Sequence, residues 1–247
     1  MAAELASVAA KLAAPGKGLL ASDESTGTIG KRLEKAGLPN TEEIRRAYRE
    51  LYYTTPGFGQ YISGVIMYKE TLGQSTADGR RFVDVLAEQG ILAGIKVDEE
   101  CGLVPVVEPE ILIDGDHTQV RGVVPPAIPG IMFLSGGQTE EEATRNLNAI
   151  NLEAQAAGRC PWALSFSFGR ALQASVLKLW SADQSRVAEA QALALELARV
   201  NSEASLGRYS GGEGAHPSTL SVATLRETFR GWNGGDAPGG AEAEAAQ

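Results

Sequence analysis

Short apolar runs, each long enough for a strand, recur along this chain with helical stretches between most of them, and this alternation constrains the fold more than any other feature. The runs lie at 18–22, 62–67, 91–97, 103–107, 131–134 and 163–168. Apolar strands that alternate with helices form a parallel sheet covered on both faces, either a closed barrel or an open doubly wound layer. The residues just beyond the strands favour the barrel. Asp23 follows the first run, Lys96 and Asp98 close the third, Glu108 and Glu110 the fourth, Ser135 the fifth, and Arg170 stands one glycine past the sixth. In a (β/α)8 barrel of the TIM type the C-terminal strand ends converge on one site, so residues far apart in sequence can face one ligand. The expected fold class is therefore α/β, a TIM barrel.

The barrel is expected to be incomplete, with six of its eight strands present. Only residues 98–102 separate the third and fourth runs. Parallel neighbours need a crossover of about a dozen residues or more, usually a helix. The stretch 118–130 carries Pro125, Pro126 and Pro129, which forbid most of a helix. Barrel segments are thus expected to be missing near 98–102 and near 118–125. Residues 1–206 read as the barrel domain, and the glycine-rich, finally acidic stretch 207–247 as a tail that is mostly disordered.

Composition narrows the function classes. The chain has 247 residues, 43% hydrophobic and 21% charged, as expected of one globular domain. A net charge of −9 argues against non-specific nucleic-acid binding. No apolar run approaches a membrane span. The N-terminal stretch sets Leu5, Val8 and Leu12 at helical spacing without a basic or Arg-rich leader pattern, so a cytoplasmic location is expected. Cys101 and Cys160 form neither a metal spacing nor a disulfide framework, which suits a reducing compartment.

The most informative local motif is IMFLSGGQTEEEATRNLNAI, residues 131–150. A strand runs into Ser135-Gly136-Gly137 and then into a helix opening at Thr139, whose side chain forms a capping box with Glu142. Glycines that expose backbone N–H groups next to a helix N-terminus make a phosphate cradle, although a plain strand-to-helix turn fits the same residues. Glu108 and Glu110 sit two apart on a strand and share a face. Paired carboxylates suit acid and base work because each raises the other's pKa; a solvated strand end is the competing reading. Lys96, flanked by Ile95 and Val97, fits a phosphate partner, an amine nucleophile or a lysine reaching out to water. Arg170 and Arg32 suit phosphate binding, or simple surface ion pairs. Asn40 with Glu43 reads as the cap of a helix bearing Ile44, Tyr48 and Leu51 on its apolar face. The DGDH sequence at 114–117 reads as a loop, not a metal site, and GGEGAH at 211–216 as low complexity.

Taken together, ASDESTGTIGKRL, GQYISG, GIKVD, LVPVVEPEIL, FLSGGQTEEEATRNLNAIN and PWALSFSFGRALQ resemble class I fructose-bisphosphate aldolase, in that family's order over most of residues 11–210. The resemblance implies a glycolytic lyase that reversibly cleaves fructose 1,6-bisphosphate into dihydroxyacetone phosphate and glyceraldehyde 3-phosphate. It implies a lysine Schiff base, with no metal and no cofactor. It assigns Asp23 to the sugar hydroxyl, Glu108 to general acid and base work, Glu110 to supporting the site, and Lys96 to substrate contact. Ser135, Gly136, Gly137 and Arg170 would hold one phosphate, while Arg32 and Thr28 would bind the sugar or the other phosphate. The expected partner is a sugar phosphate, with room for a homo-oligomer. The chain departs from the family's pattern where its connectivity is too short. No Leu-Leu-Lys-Pro segment bearing the Schiff-base lysine lies between His117 and Pro125, and no Lys-Trp-Arg segment follows Asp98. A chain without that amine lacks the electron sink for cleavage. The alternative expectation is therefore an inactive sugar-phosphate binder or oligomer partner.

Overall fold

A computed structural model describes residues 2–95, 128–158, 160–211 and 216–218. Five parallel strands form one sheet in the order β3-β2-β1-β5-β4. They are β1 (Gly18–Ser22), β2 (Ile62–Met67), β3 (Leu92–Ile95), β4 (Gly130–Phe133) and β5 (Ala163–Phe168). Helices α2 (Thr26–Lys35) and α3 (Glu42–Tyr53) join β1 to β2; α4 (Lys69–Leu72) and α5 (Phe82–Glu88) join β2 to β3. Helix α6 (Glu140–Ala157) joins β4 to β5, and α7 (Arg170–Ala182) and α8 (Val187–Ser205) follow. Helix α1 (Ala2–Leu12) precedes the first strand. The sheet is a barrel wall in which the first strand neighbours the last: Leu19 of β1 pairs with Ser167 of β5, and Leu20 with Phe168.

The core lies between this wall and the helices. Leu20, Val65, Phe166 and Phe168 from the strands meet Tyr48, Tyr52 and Tyr53 of α3, Leu147 of α6, Trp180 of α7 and Leu197 of α8. Aromatic packing fixes the angles between layers: the Tyr53 and Phe82 rings stand edge to face with centroids 5.1 Å apart. The polar groups that join the strands to α3 and α7 at this strand end are paired, as burial favours. Ser22 Oγ donates to Ile66 O at 2.9 Å and lies 2.8 Å from the Tyr53 hydroxyl. Ser22 has one proton, spent on the carbonyl, so the Tyr53 hydroxyl is the donor of the second bond. Gln173 Nε2 donates to Ala21 O at 2.7 Å, tying α7 to the same strand end.

Five of the six expected strands lie among the described residues; the run at 103–107, like the DGDH loop, lies outside them. The third strand opens at Leu92, one residue later than expected, and is described as far as Ile95; residues 96–97 lie outside the described residues. The cap of α3 is Thr41, not Asn40: Thr41 is extended (φ −107°, ψ 157°), and its hydroxyl accepts the Ile44 N–H at 3.3 Å. Asn40 instead donates to Thr26 O and accepts from Arg45 Nη1. Within the stretch expected to be a disordered tail, His216 is packed inside the molecule, its Nε2 3.0 Å from the Thr144 hydroxyl of α6. That hydroxyl lies beside Asn201 Oδ1 of α8, so the contact ties the segment to two helices.

Candidate active site

The C-terminal ends of β4, β5 and β1 are adjacent, and the polar residues that leave them gather at one rim of the wall. The pairs Phe133↔Phe166 and Leu20↔Phe168 put the Ser135–Gly137 turn, Arg170 and Asp23 just beyond three neighbouring strands. Neighbouring strands lie about 4.8 Å apart, so the residues that follow these three ends stand near one another. Asp23 follows directly on Ser22, whose two hydrogen bonds fix the end of β1.

The turn between β4 and α6 has the geometry read from its sequence. Gly137 has φ +72°, a conformation that L side chains rarely adopt, and a Cβ on Gly136 would meet nothing within 4 Å, so ligand atoms can approach that backbone. The capping box is formed in full: the Thr139 hydroxyl accepts from Glu142 N–H at 3.0 Å, and the Glu142 carboxylate accepts from Thr139 N–H at 2.9 Å. The helix contributes less positive potential than its N-terminus alone would, since Glu140, Glu141 and Glu142 all occupy the first turn. Glu140 faces inward and is fully buried. Burial raises its pKa, and the Ser175 hydroxyl and N–H, both donated to it, partly offset that rise.

Arg170 opens α7 at the neighbouring strand end. Burial lowers its pKa first, the like charge of Arg32 lowers it further, and Glu24 offsets part of the effect. Arg32 stands on α2, which is held by the Ser25 cap and by Ile29 and Leu33 on its buried face. Thr28, one turn earlier, is exposed, with its hydroxyl 3.1 Å from Ser25 Oγ. The residue missed from sequence is Glu24. One of its carboxylate oxygens accepts from Arg32 Nη1 and the other from Arg49 Nη2 at 2.6 Å. Burial alone would raise the Glu24 pKa, but the Arg49 and Arg32 guanidiniums outweigh it and hold the carboxyl below its ordinary value. Arg49 was equally hidden in RRAYRE; the available signal was its place four residues before Tyr53 on the apolar side of α3.

Asp23, the Ser135–Gly137 turn and Arg170 thus follow three neighbouring strands, Arg32 of α2 lies close enough to Arg170 to act on its charge, and Thr28 stands exposed at the start of α2. Lys96, Glu108 and Glu110 lie outside the described residues. Lys96 directly follows Ile95 of β3, which pairs with Met67 of β2; β3 stands two strands from β1. Among the described residues no cluster of histidine, cysteine and carboxylate side chains could hold a metal ion, and no helix is long and apolar enough to cross a membrane.

The sequence family model for class I fructose-bisphosphate aldolase matches residues 4–101 and 118–227. The chain belongs to that family. Its aldolase relatives include a cytosolic fructose-bisphosphate aldolase of Arabidopsis thaliana, 37% identical over 87% of this chain and 87% of the relative. A cytoplasmic isozyme of Cicer arietinum is 38% identical over 87% and 95%. Fructose-bisphosphate aldolase of Plasmodium falciparum, solved in complex with TRAP and a small-molecule inhibitor, superposes with a TM-score of 0.78 at 33% identity, covering 85% of this chain and 96% of that one. The incomplete TIM barrel is therefore an aldolase barrel. The matched span in Arabidopsis is 344 residues, longer than the whole 247-residue chain, so the relative carries internal segments that this aldolase-family chain lacks. Glu108 and Glu110 fall between the two stretches matched by the family model.

Proposed function

We propose that this chain acts as a fructose-bisphosphate aldolase-type lyase on fructose 1,6-bisphosphate, in the reversible aldol cleavage that yields dihydroxyacetone phosphate and glyceraldehyde 3-phosphate. The observation that carries the reading is that Arg170, the Ser135–Gly137 turn and Asp23 follow adjacent strand ends, with Arg32 of α2 near Arg170. In this reading Ser135, Gly136, Gly137 and Arg170 hold one phosphate. Thr28 and Arg32 hold the sugar or the second phosphate, and Asp23 acts on the hydroxyl whose proton leaves as the carbon–carbon bond breaks. Glu108 serves as acid and base beside Glu110. The carbonyl requires an amine, which condenses with it and releases water, giving an imine that accepts the electron pair of the broken bond. Lys96, which follows Ile95 in sequence and is expected to contact substrate, is the substitute amine in this reading. A cytoplasmic location belongs to the same proposal and is supported by relatives named cytosolic or cytoplasmic, alongside a chloroplastic one.

A second reading, a sugar-phosphate binder without turnover, is favoured by one specific observation: none of the described lysines stands on a strand. Lys11, Lys31, Lys35, Lys69 and Lys178 are on helices, and Lys17 precedes β1 with its ammonium on Gly59 O. Borohydride trapping with dihydroxyacetone phosphate separates the two. Labelling of Lys96, together with cleavage that Lys96→Met abolishes, supports the lyase. Calorimetric binding of fructose 1,6-bisphosphate with neither label nor cleavage establishes the binder.

A further inference from the structure

We propose that Glu24 is a positioning residue that competes with the substrate phosphate for Arg32, and that Arg49 is the fixed counter-ion that keeps Glu24 in place to do so. The inference rests on the phosphate-binding reading above. Glu24 divides its two carboxylate oxygens between two guanidiniums, and these differ sharply in freedom. The Arg49 side chain is 3% exposed and packs against the Tyr48 ring, 5.8 Å from its centroid, whereas the Arg32 side chain is 27% exposed. Opening the Arg49 pair would leave a buried cation without its partner. Opening the Arg32 pair releases a guanidinium at the solvent-facing rim. When an anion arrives, the pair that yields is therefore Arg32–Glu24.

The location supports the exchange. A Cβ on Gly169 would lie 3.9 Å from Glu24 Oε1, so the carboxylate rests against the turn that presents Arg170. Arg32 and Arg170 repel each other, and Glu24 between them offsets that repulsion in the ligand-free site. A phosphate carries close to two negative charges near neutral pH and three acceptor oxygens, so it replaces the single charge of Glu24 with a better partner for both arginines. A ligand bearing one charge gains much less from the exchange. The expected consequence is discrimination in favour of dianionic phosphate esters.

The test measures binding of inorganic phosphate and of fructose 1,6-bisphosphate by titration calorimetry at two salt concentrations. Glu24→Gln keeps the side-chain shape and removes the competing charge. It should tighten phosphate binding about three- to tenfold, with a steeper salt dependence. A carboxylate serving only to hold the fold would give weaker or unchanged binding on substitution, which is the result that overturns the proposal. Because Glu24→Gln leaves Arg49 without its counter-ion, the double variant Glu24→Gln/Arg49→Met is measured beside it, and tightening in that variant supports the same conclusion should the single one fail to fold. If the unaltered chain binds neither ligand but a Glu24 variant binds them, both the phosphate site and the competition are supported; if the unaltered chain binds and neither variant binds more tightly, the competition fails while the phosphate site stands. Absence of binding in every variant overturns both.

Discussion

The hydrogen bonds between Ser22, Tyr53 and Ile66 allow an asymmetric prediction at the strand end that carries Asp23. Tyr53 is fully buried, and burial pushes its pKa up to about 12, so at neutral pH its hydroxyl is a donor in need of an acceptor. Ser22 Oγ is that acceptor at 2.8 Å, and its own proton goes to Ile66 O at 2.9 Å. In Tyr53→Phe the serine keeps its donor bond, and the loss is one hydrogen bond, about 1 kcal/mol. In Ser22→Ala the buried phenol loses its acceptor while the Ile66 carbonyl loses a donor, and the cost rises to about 2 kcal/mol or more. The double variant removes both hydroxyls together and strands neither, so its cost should fall about 1 kcal/mol or more below the sum of the single ones. Equilibrium urea unfolding of the four proteins measures the cycle, and thermal scans should show roughly 2–4 °C per kcal/mol. Additive costs, or a Tyr53→Phe penalty equal to that of Ser22→Ala, would refute the assigned direction of the bonds.

Two further outcomes can be checked directly. Gly137→Ala places a Cβ on a residue with φ +72°, so it should destabilise the chain by about 1–2 kcal/mol in urea unfolding and weaken phosphate binding by calorimetry. His216, whose pKa burial lowers to about 4, is neutral when packed, with Glu141 and Glu196 nearby pulling the other way. The unfolded chain takes up a proton at about 6.5. Stability should thus be full above that value and decline, by at most about 1.4 kcal/mol per pH unit, as pH falls from about 6.5 towards 4. His216→Gln should flatten that part of the pH profile in urea titrations.

What could be read from the sequence followed local physics. The capping box of Thr139 and Glu142, the αL glycine before it, and the alternation of strands and helices each depend on a few adjacent residues, and each is present. The departures involve choices between neighbours or contacts across the fold. Asn40 and Thr41 are both good caps, and the winner was decided by Asn40 turning towards α2 and Arg45. Arg49 and Glu24 looked like surface charges because each resembles its exposed neighbours; their burial depends on pairing across 25 residues. His216 stood in a glycine-rich stretch, and only its contact with Thr144, 72 residues away, gives it a place. The strand-end residues Asp23, Ser135 and Arg170 were legible as neighbours because a parallel barrel gathers its strand ends whatever the helices do.

The seam between β1 and β5 joins residues 148 positions apart, Leu19 with Ser167. Contacts of such long sequence separation form late, because a long loop must close before they give any return. During synthesis, therefore, the first three strands emerge well before the partners that finish the rim proposed to bind phosphate. A nascent chain that stops short of Arg170 can hold three paired strands and still have no place for a phosphate. On the proposed function, binding competence waits for the last described strand and the Arg170 that follows it, about two-thirds of the way through translation.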